Sequence, residues 1–173
     1  MNTLQLLSVL QRDKTFLDVY PCDLLPRNLI TKRPTGIVVN THPHTMPGEH
    51  WLALYLPAKG PGEFFDSYGV DPDNPRIPET ITAFLWRQGK EIIFQKRQLQ
   101  NPSAVTCGYH CVFFLQNRTK GLPFDQILKL YSEDATKNDR MVVEFVKNRK
   151  IQTAPRSCKP FHHIQACGPQ CKT

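Results

Sequence analysis

The stretch Gln100-Asn101-Pro102-Ser103-Ala104-Val105-Thr106-Cys107-Gly108-Tyr109-His110-Cys111 runs directly into the apolar segment Val112-Phe113-Phe114-Leu115. A loop with proline and serine followed by an apolar run predicts a buried helix over about residues 104–117, with Cys107 near its start. Helix starts collect unpaired backbone N–H groups and the positive end of the helix dipole, and both favour a thiolate over a thiol. Cys107 is therefore a candidate nucleophile; the alternative is that it packs as a small apolar side chain.

Length and composition predict one globular domain. The chain has 173 residues, 10% of them aromatic, which is not the composition of a disordered protein. No apolar run approaches the ~20 residues that a membrane span needs, and the first residues lack the basic region and cleavage site of a secretory signal. We therefore expect a protein that is not secreted and has no membrane partner. It should stay inside a cell, or inside a particle made there, with the cysteines of its main body reduced.

The formal charge of +7 is concentrated at the end of the chain. From Lys147 onward there are six basic residues and no acidic one, which leaves 16 basic against 15 acidic residues before it. We expect residues 151–173 to form a poorly ordered basic tail. Such a tail binds nucleic acid without sequence preference by neutralising phosphates, or it is simply solvated. It also carries five side chains of the type that bind zinc, at spacings that match no common zinc finger: Cys158, His162, His163, Cys167 and Cys171.

The distribution of apolar residues and turn residues predicts an α+β fold. Strands are expected at residues 16–21, 36–40, 50–56, 63–67 and 91–96. Helices are expected at residues 1–11, 79–88, 124–131 and 138–147, besides the helix that carries Cys107. Because a tight turn with glycine and proline joins the third and fourth strands, the central sheet should be mainly antiparallel.

A nucleophilic cysteine needs a base, a group that orients the base, and donors for the developing oxyanion. His50 opens a predicted strand, and Asp66 lies at the end of the partner strand, where it could accept a hydrogen bond from the imidazole. Gln100 lies seven residues before Cys107, across the loop, where its amide could donate to an oxyanion. Each residue also has a structural interpretation: a half-buried strand histidine, a turn cap and an exposed glutamine. The order His, Asp, Gln, Cys favours the catalytic interpretation.

Three blocks of the sequence resemble the catalytic blocks of adenovirus-type proteases (adenain) and of the wider group that includes the ubiquitin-like-protein-specific proteases. They are Gly48-Glu49-His50-Trp51, Phe65-Asp66-Ser67-Tyr68-Gly69, and Gln100 followed after six residues by Cys107-Gly108. Residues 16–21 and the loop 40–50 are similar to the versions in Maverick/Polinton transposons and related integrated viruses. The resemblance covers roughly residues 10–150.

The resemblance implies a papain-like/adenain-like cysteine protease domain over residues 1–150, with the nucleophile at the start of a buried helix. His50 would be the general base and acid, and Asp66 would orient it, in a position where adenovirus enzymes carry Glu. Cys107 would attack the peptide carbonyl, and Gln100 would help to form the oxyanion hole. The implied activity is that of an endopeptidase that cleaves viral or transposon-encoded precursor proteins, such as capsid proteins, near glycine.

The resemblance also implies expectations about partners. No cofactor is required and no metal site is expected, and the partner is a polypeptide substrate bound by a monomer. The adenovirus enzyme is stimulated by DNA and by a disulfide-linked peptide; DNA stimulation is compatible with the basic tail, whereas no cysteine here matches the peptide-linking one. The expected location is the host nucleus or a virus-like particle.

Two other functions compete with a maturation protease. One is a protease specific for ubiquitin or SUMO-like modifiers, which uses the same chemistry on another substrate. The other is a DNA-binding module with a basic tail on an inactive protease fold. Outside the site, Cys111 has the spacing of a helical metal pair with Cys107 but no second pair to join, so we predict that it packs in the core. His110 is expected to be structural or on the surface.

Overall fold

The computed structural model describes residues 1–89 and 91–148, in which there are ten helices and strands. They are α1 (Thr3–Leu10), β1 (Phe16–Pro21), β2 (Thr35–Asn40), β3 (Trp51–Leu56), β4 (Gly62–Phe65), α2 (Glu79–Gln88), β5 (Ile92–Phe94), α3 (Cys107–Thr119), α4 (Phe124–Leu128) and α5 (Ala135–Asn148). All the predicted elements are present, and the α+β class is confirmed. The predicted basic tail of residues 151–173, with its zinc-type side chains, lies outside the described residues.

The five strands form one sheet in the order β1-β2-β3-β4-β5. The two central pairings, β2 with β3 and β3 with β4, are antiparallel as predicted. The two outer pairings, β1 with β2 and β4 with β5, are parallel. Each edge strand pairs in parallel because a long crossover connects it to its neighbour: residues 22–34 link β1 to β2, and the segment with α2 links β4 to β5.

Both faces of the sheet are covered, which is why β2 and β3 are buried along their whole length. On one face, Ala53 and Tyr55 of β3 belong to a core shared with α1, α3 and α5. On the other face, Leu52 and Leu54 pack in a core with the apolar side of α2. Helix α3 therefore lies between the sheet and α5, and most of its residues are buried.

Helix α3 begins at Cys107, three residues later than the predicted start near Ala104. The preceding residues form a turn instead, in which the Ala104 N–H donates to the Asn101 carbonyl at 2.9 Å. At the other end, Arg118 Nη2 lies 2.8 Å from Glu63 Oε1 of β4 and ties the helix to the sheet. Gly121, predicted just beyond the end of this helix, has a φ of +88° there.

Helices α4 and α5 also differ from their predicted bounds. Helix α4 ends at Leu128, because the next two residues turn more tightly and Tyr131 N–H donates to the Leu128 carbonyl. Helix α5 begins at Ala135 rather than 138 because Asp134 accepts hydrogen bonds from the backbone N–H groups of its first turn. None of the helices within residues 1–89 and 91–148 has the length and apolar character needed to cross a lipid bilayer.

Candidate active site

Cys107 is the first residue of α3, and its side chain is nearly buried at 9% exposure. Burial raises the pKa of its thiol, but the hydrogen bond and charge of His50 and the backbone N–H groups of Trp51 and Gly108 lower it more. The pKa of Cys107 therefore lies below its ordinary value. The helix start favours a thiolate as the sequence suggested, and the imidazole contributes the largest part of that stabilisation.

His50 immediately precedes β3 and connects Asp66 to Cys107. Its Nε2 lies 2.7 Å from Asp66 Oδ1, and the ring lines the same cavity as the Cys107 side chain, with which it interacts electrostatically. Burial lowers the pKa of His50, but the hydrogen bonds to Asp66 and Cys107 and their negative charges raise it to about 9. The ring stacks on Tyr68, with centroids 4.9 Å apart. Since Nε2 is used by Asp66, the nitrogen available to Cys107 is Nδ1.

Asp66 directly follows β4 and is almost completely buried. Besides His50, its carboxylate accepts hydrogen bonds from the backbone N–H groups of Tyr68 at 2.9 Å and Val70 at 3.3 Å. The turn that wraps around it needs glycine at position 69, where φ is +71° and a Cβ would lie 2.7 Å from the carbonyl oxygen of Arg97. The carboxylate is thus held in one orientation by the backbone of its own turn.

Gln100 is fully buried and lines the same cavity as Cys107 and His50. Its Nε2 donates to the Tyr68 hydroxyl at 3.0 Å and to the Ala104 carbonyl at 2.5 Å, and its Oε1 accepts from Ser67 Oγ at 2.7 Å. These contacts fix which end of the amide carries the N–H groups. Gln100 is therefore not the exposed glutamine of the structural interpretation.

The structure brings all four predicted side chains to one cavity of about 360 Å³. A second cavity of about 500 Å³ adjoins it, formed by the N-terminal residues, the end of β1 and the loop before β3. Glu49, Val105 and Cys107 line both cavities, so Cys107 lies where they meet. An arrangement of this kind can hold an extended chain that passes over the sulfur.

Sequence reasoning missed Tyr68 and Ser67. Tyr68 contacts two predicted site residues, by stacking on His50 and by accepting a hydrogen bond from Gln100. Ser67 holds the other end of the same amide. Both residues lie in the block Phe65–Gly69 that carried the resemblance, so the signal was present, but it identified the block without giving roles to its members.

The remaining cysteine and histidine of α3 are structural. Cys111 is buried, as predicted, and its thiol donates to the Trp51 carbonyl at 3.3 Å. His110 is also buried, and its Nε2 lies 2.9 Å from Asp139 Oδ1. Within the described part of the chain, no group of three or more histidine, cysteine, aspartate or glutamate side chains is arranged to hold a metal ion.

No family model and no curated protein matches the sequence. Solved structures do match, and among them is the crystal structure of the ASFV pS273R protease. The two proteins are 16% identical and superpose with a TM-score of 0.56, over 82% of this chain and 66% of the other, so this chain spans just under two thirds of that protein's length. At this identity the likeness establishes the fold alone. The chain therefore has the α+β fold of the ASFV pS273R protease, with a five-stranded sheet packed against a buried helix that begins at Cys107.

Proposed function

We propose that the chain is a cysteine-type endopeptidase in which Cys107 is the nucleophile. One observation carries the proposal: the His50 ring, hydrogen-bonded to Asp66 at 2.7 Å, lines one cavity with the Cys107 side chain and the Gln100 amide. The pKa of His50 is raised to about 9 while that of Cys107 is lowered. Both shifts favour transfer of the thiol proton to the imidazole, which gives a thiolate–imidazolium pair, the activated form of a cysteine nucleophile.

Each step of peptide hydrolysis has a residue suited to it. The Cys107 thiolate attacks the carbonyl carbon of the scissile bond. The carbonyl oxygen becomes an oxyanion, which accepts hydrogen bonds from the Cys107 backbone N–H, unpaired at the helix start, and from the Gln100 amide. His50 gives its proton to the leaving amine, and a thioester remains. His50 then takes a proton from a water molecule that attacks the thioester carbon. The C–S bond breaks, the acyl part of the substrate leaves as a carboxylic acid, and the Cys107 thiolate and the His50 imidazolium are restored.

Asp66 would keep His50 in the productive orientation. Its hydrogen bond to Nε2 leaves Nδ1 facing the sulfur and stabilises the imidazolium. Tyr68 would support both partners, because its ring stacks on the imidazole while its hydroxyl contacts the Gln100 amide. When the oxyanion forms, the Gln100 N–H that donates to the Tyr68 hydroxyl would donate to the oxyanion, either instead of the hydroxyl or in addition to it.

We further propose that the substrate is a viral or transposon-encoded precursor protein cleaved near glycine. The resemblance of the three sequence blocks to adenovirus-type proteases supports this substrate class. The fold shared with the ASFV protease is consistent with it. A protease specific for ubiquitin-like modifiers would use the same four residues on a different substrate.

Two measurements test the proposal. In the first, iodoacetamide is added at pH 6 and the modified cysteines are quantified by mass spectrometry. Cys107 should react much faster than Cys22 or Cys111, since only a thiolate with a lowered pKa reacts at that pH. Equal rates for the three cysteines would refute the activated nucleophile.

The second measurement identifies the substrate class. The protein is incubated with a library of glycine-containing peptides and with probes in which a ubiquitin-like modifier is linked to a reporter. Cleavage of peptides that is lost in Cys107→Ala supports the endopeptidase. Cleavage of the modifier probes alone would favour the modifier-specific protease, and cleavage that persists in Cys107→Ala would remove the mechanism.

A further inference from the structure

Asp139, in the first half of α5, contacts both ends of the loop that separates Gln100 from Cys107. Its Oδ2 accepts a hydrogen bond from the backbone N–H of Asn101 at 3.1 Å, next to Gln100. Its Oδ1 accepts a hydrogen bond from Thr106 Oγ1 at 2.5 Å, next to Cys107. One buried carboxylate, 8% exposed, thus joins the two residues that flank the proposed oxyanion amide and the proposed nucleophile.

Thr106 uses its hydroxyl in an unusual way for the residue that precedes a helix. At this position a threonine side chain ordinarily accepts a hydrogen bond from the first turn of its own helix. The Thr106 hydroxyl makes no such bond to α3 and donates to Asp139 instead. The start of α3 is therefore fixed from another helix rather than by its own cap.

The carboxylate is itself held by a buried network. His110 Nε2 lies 2.9 Å from the same Oδ1, and His110 Nδ1 lies 3.4 Å from the Tyr131 hydroxyl. Burial and the charge of His50 lower the pKa of His110, although Asp139 opposes them, so His110 is neutral and its Nε2–H donates to Asp139. A network whose members all have partners holds its geometry more firmly than separate contacts do.

Asn138, the residue before Asp139 in α5, contacts the chain just before the same loop. Asn138 Nδ2 donates to the Leu99 carbonyl at 3.1 Å, immediately before Gln100. Between the two fixed ends, Pro102, Ser103 and Val105 are exposed to solvent. The start of the loop is also held from the turn after β4, because the backbone N–H groups of Leu99 and Gln100 donate to the Ser67 carbonyl at 2.8 Å and 3.0 Å. Of the contacts that hold the loop from outside, Asp139 makes the ones that reach both of its ends.

We propose that Asp139 is a positioning residue, which sets the separation of the Gln100 amide from the Cys107 sulfur through Asn101 and Thr106. This inference rests on the proposed function, because the separation matters only if both groups act on one carbonyl. Asp139 lies behind the loop and is not among the residues that line either cavity. Its loss should therefore slow the chemical step and leave substrate binding nearly unchanged.

The test compares Asp139→Asn with Asp134→Asn, a matched change in the turn that caps the same helix. An asparagine at 139 can still accept a hydrogen bond from Thr106 through its carbonyl oxygen. Its NH₂ group takes the place of Oδ2, however, and two donors then face each other where the Asn101 N–H was bound. For each folded variant we measure the rate of Cys107 alkylation by iodoacetamide at pH 6, Tm, and kcat and KM on a glycine-containing peptide that the wild type cleaves. Asp139→Asn should lower kcat about tenfold to a hundredfold with KM nearly unchanged. Asp134→Asn keeps the oxygen that caps the helix, so it should change Tm little and leave kcat unchanged.

A second pair of variants tests the link through Thr106 and replaces the first if Asp139→Asn does not fold. Thr106→Val removes the hydroxyl at nearly constant volume, whereas Thr106→Ser keeps it. Thr106→Val should lower kcat and the alkylation rate, Thr106→Ser should restore both, and the effects of Thr106→Val and Asp139→Asn should not add. Unchanged kcat and alkylation in folded Asp139→Asn, equal losses in Thr106→Val and Thr106→Ser, or losses that follow Tm in all variants would overturn the inference. Slow alkylation of Cys107 in the wild type would instead refute the proposed function.

Discussion

The replacement Asp66→Asn tests whether the carboxylate sustains the thiolate–imidazolium pair. Asparagine keeps the size of the side chain, and its carbonyl oxygen can still accept from His50 Nε2 and from the Tyr68 N–H. The replacement removes the negative charge in a buried position, where the Asp66 side chain is 1% exposed, together with the weaker acceptor contact of Oδ2 with the Val70 N–H at 3.3 Å. The expected effect is therefore electrostatic rather than steric.

The size of the effect follows from the pKa of His50, which rises from 6.5 to about 9. That difference corresponds to roughly 3 kcal/mol, or a factor of about 300 in the imidazolium–imidazole equilibrium. Asp66 and Cys107 both stabilise the imidazolium, and together they outweigh the effect of burial. Asp66→Asn should therefore remove a large part of this stabilisation. We expect the pKa of His50 to fall, that of Cys107 to rise, and kcat/KM at pH 7 to drop by tenfold to roughly 300-fold.

The effect on stability has a defined sign. A histidine whose folded-state pKa is raised above its unfolded value contributes stability that is fully present below pH 6.5 and is lost as the pH rises through about 9. The difference in the free energy of unfolding between wild type and Asp66→Asn should therefore shrink between pH 6.5 and pH 9. Urea unfolding at several pH values measures it.

The assay for the ion pair is the pH dependence of Cys107 alkylation by iodoacetamide, with kcat/KM measured in parallel. Asp71→Asn is the matched control, because Asp71 is a surface carboxylate whose ion-pair partner is the exposed Lys96, 3.6 Å away. If Asp66→Asn left the alkylation profile in place, or if Asp71→Asn shifted it equally, the role given to Asp66 would be wrong.

Three further predictions concern other parts of the chain. Gly69→Ala should cost about 3 kcal/mol of unfolding free energy in urea denaturation and abolish cleavage, because its φ is +71° and the new Cβ would lie 2.7 Å from the backbone of residues 96–97. Gly60→Ala, at a φ of +100° with no atom within 4 Å of the added Cβ, should cost only about 1 kcal/mol and leave activity intact; equal costs would contradict the steric argument. Cys111 should be alkylated only on the time scale of global unfolding, since its pKa is raised by burial and its sulfur is inaccessible; rapid labelling of the folded protein would show otherwise. Truncation after Lys147 should abolish an affinity for duplex DNA that falls steeply with salt; binding that survives truncation would place the DNA site elsewhere.

The elements that the sequence predicted best are those whose pattern is local. The helix over residues 79–88 follows from its apolar spacing and coincides with α2. The bounds of α3 and α5 could not be obtained this way, since they depend on hydrogen bonds to particular side chains and turns. Asp134, for example, extends α5 by three residues beyond the apolar pattern. The parallel edge strands likewise depend on crossovers, which leave no local signal.

In the candidate site, too, the residues with a local signal were predicted and those that depend on distant contacts were not. His50, Asp66, Gln100 and Cys107 were predicted from three short blocks, each with a chemical role. Asp139 was not, because its contacts with the loop join residues 33 and 38 positions apart and nothing near it in sequence distinguishes it from other helical aspartates. Side chains that react can be recognised by type and order, whereas those that position them depend on packing between distant elements.

Cys107 and Cys111 show that position, not residue type, determines the chemistry of a thiol on this helix. Both are buried cysteines one turn apart, and burial alone would raise the pKa of each. At Cys107 a cationic imidazole and two backbone N–H groups reverse that effect. At Cys111 burial is complete and the charges of Cys107 and Asp66 add to it, so the thiolate at the first position opposes a second one. The helix therefore supports one activated thiol, at the turn that faces His50.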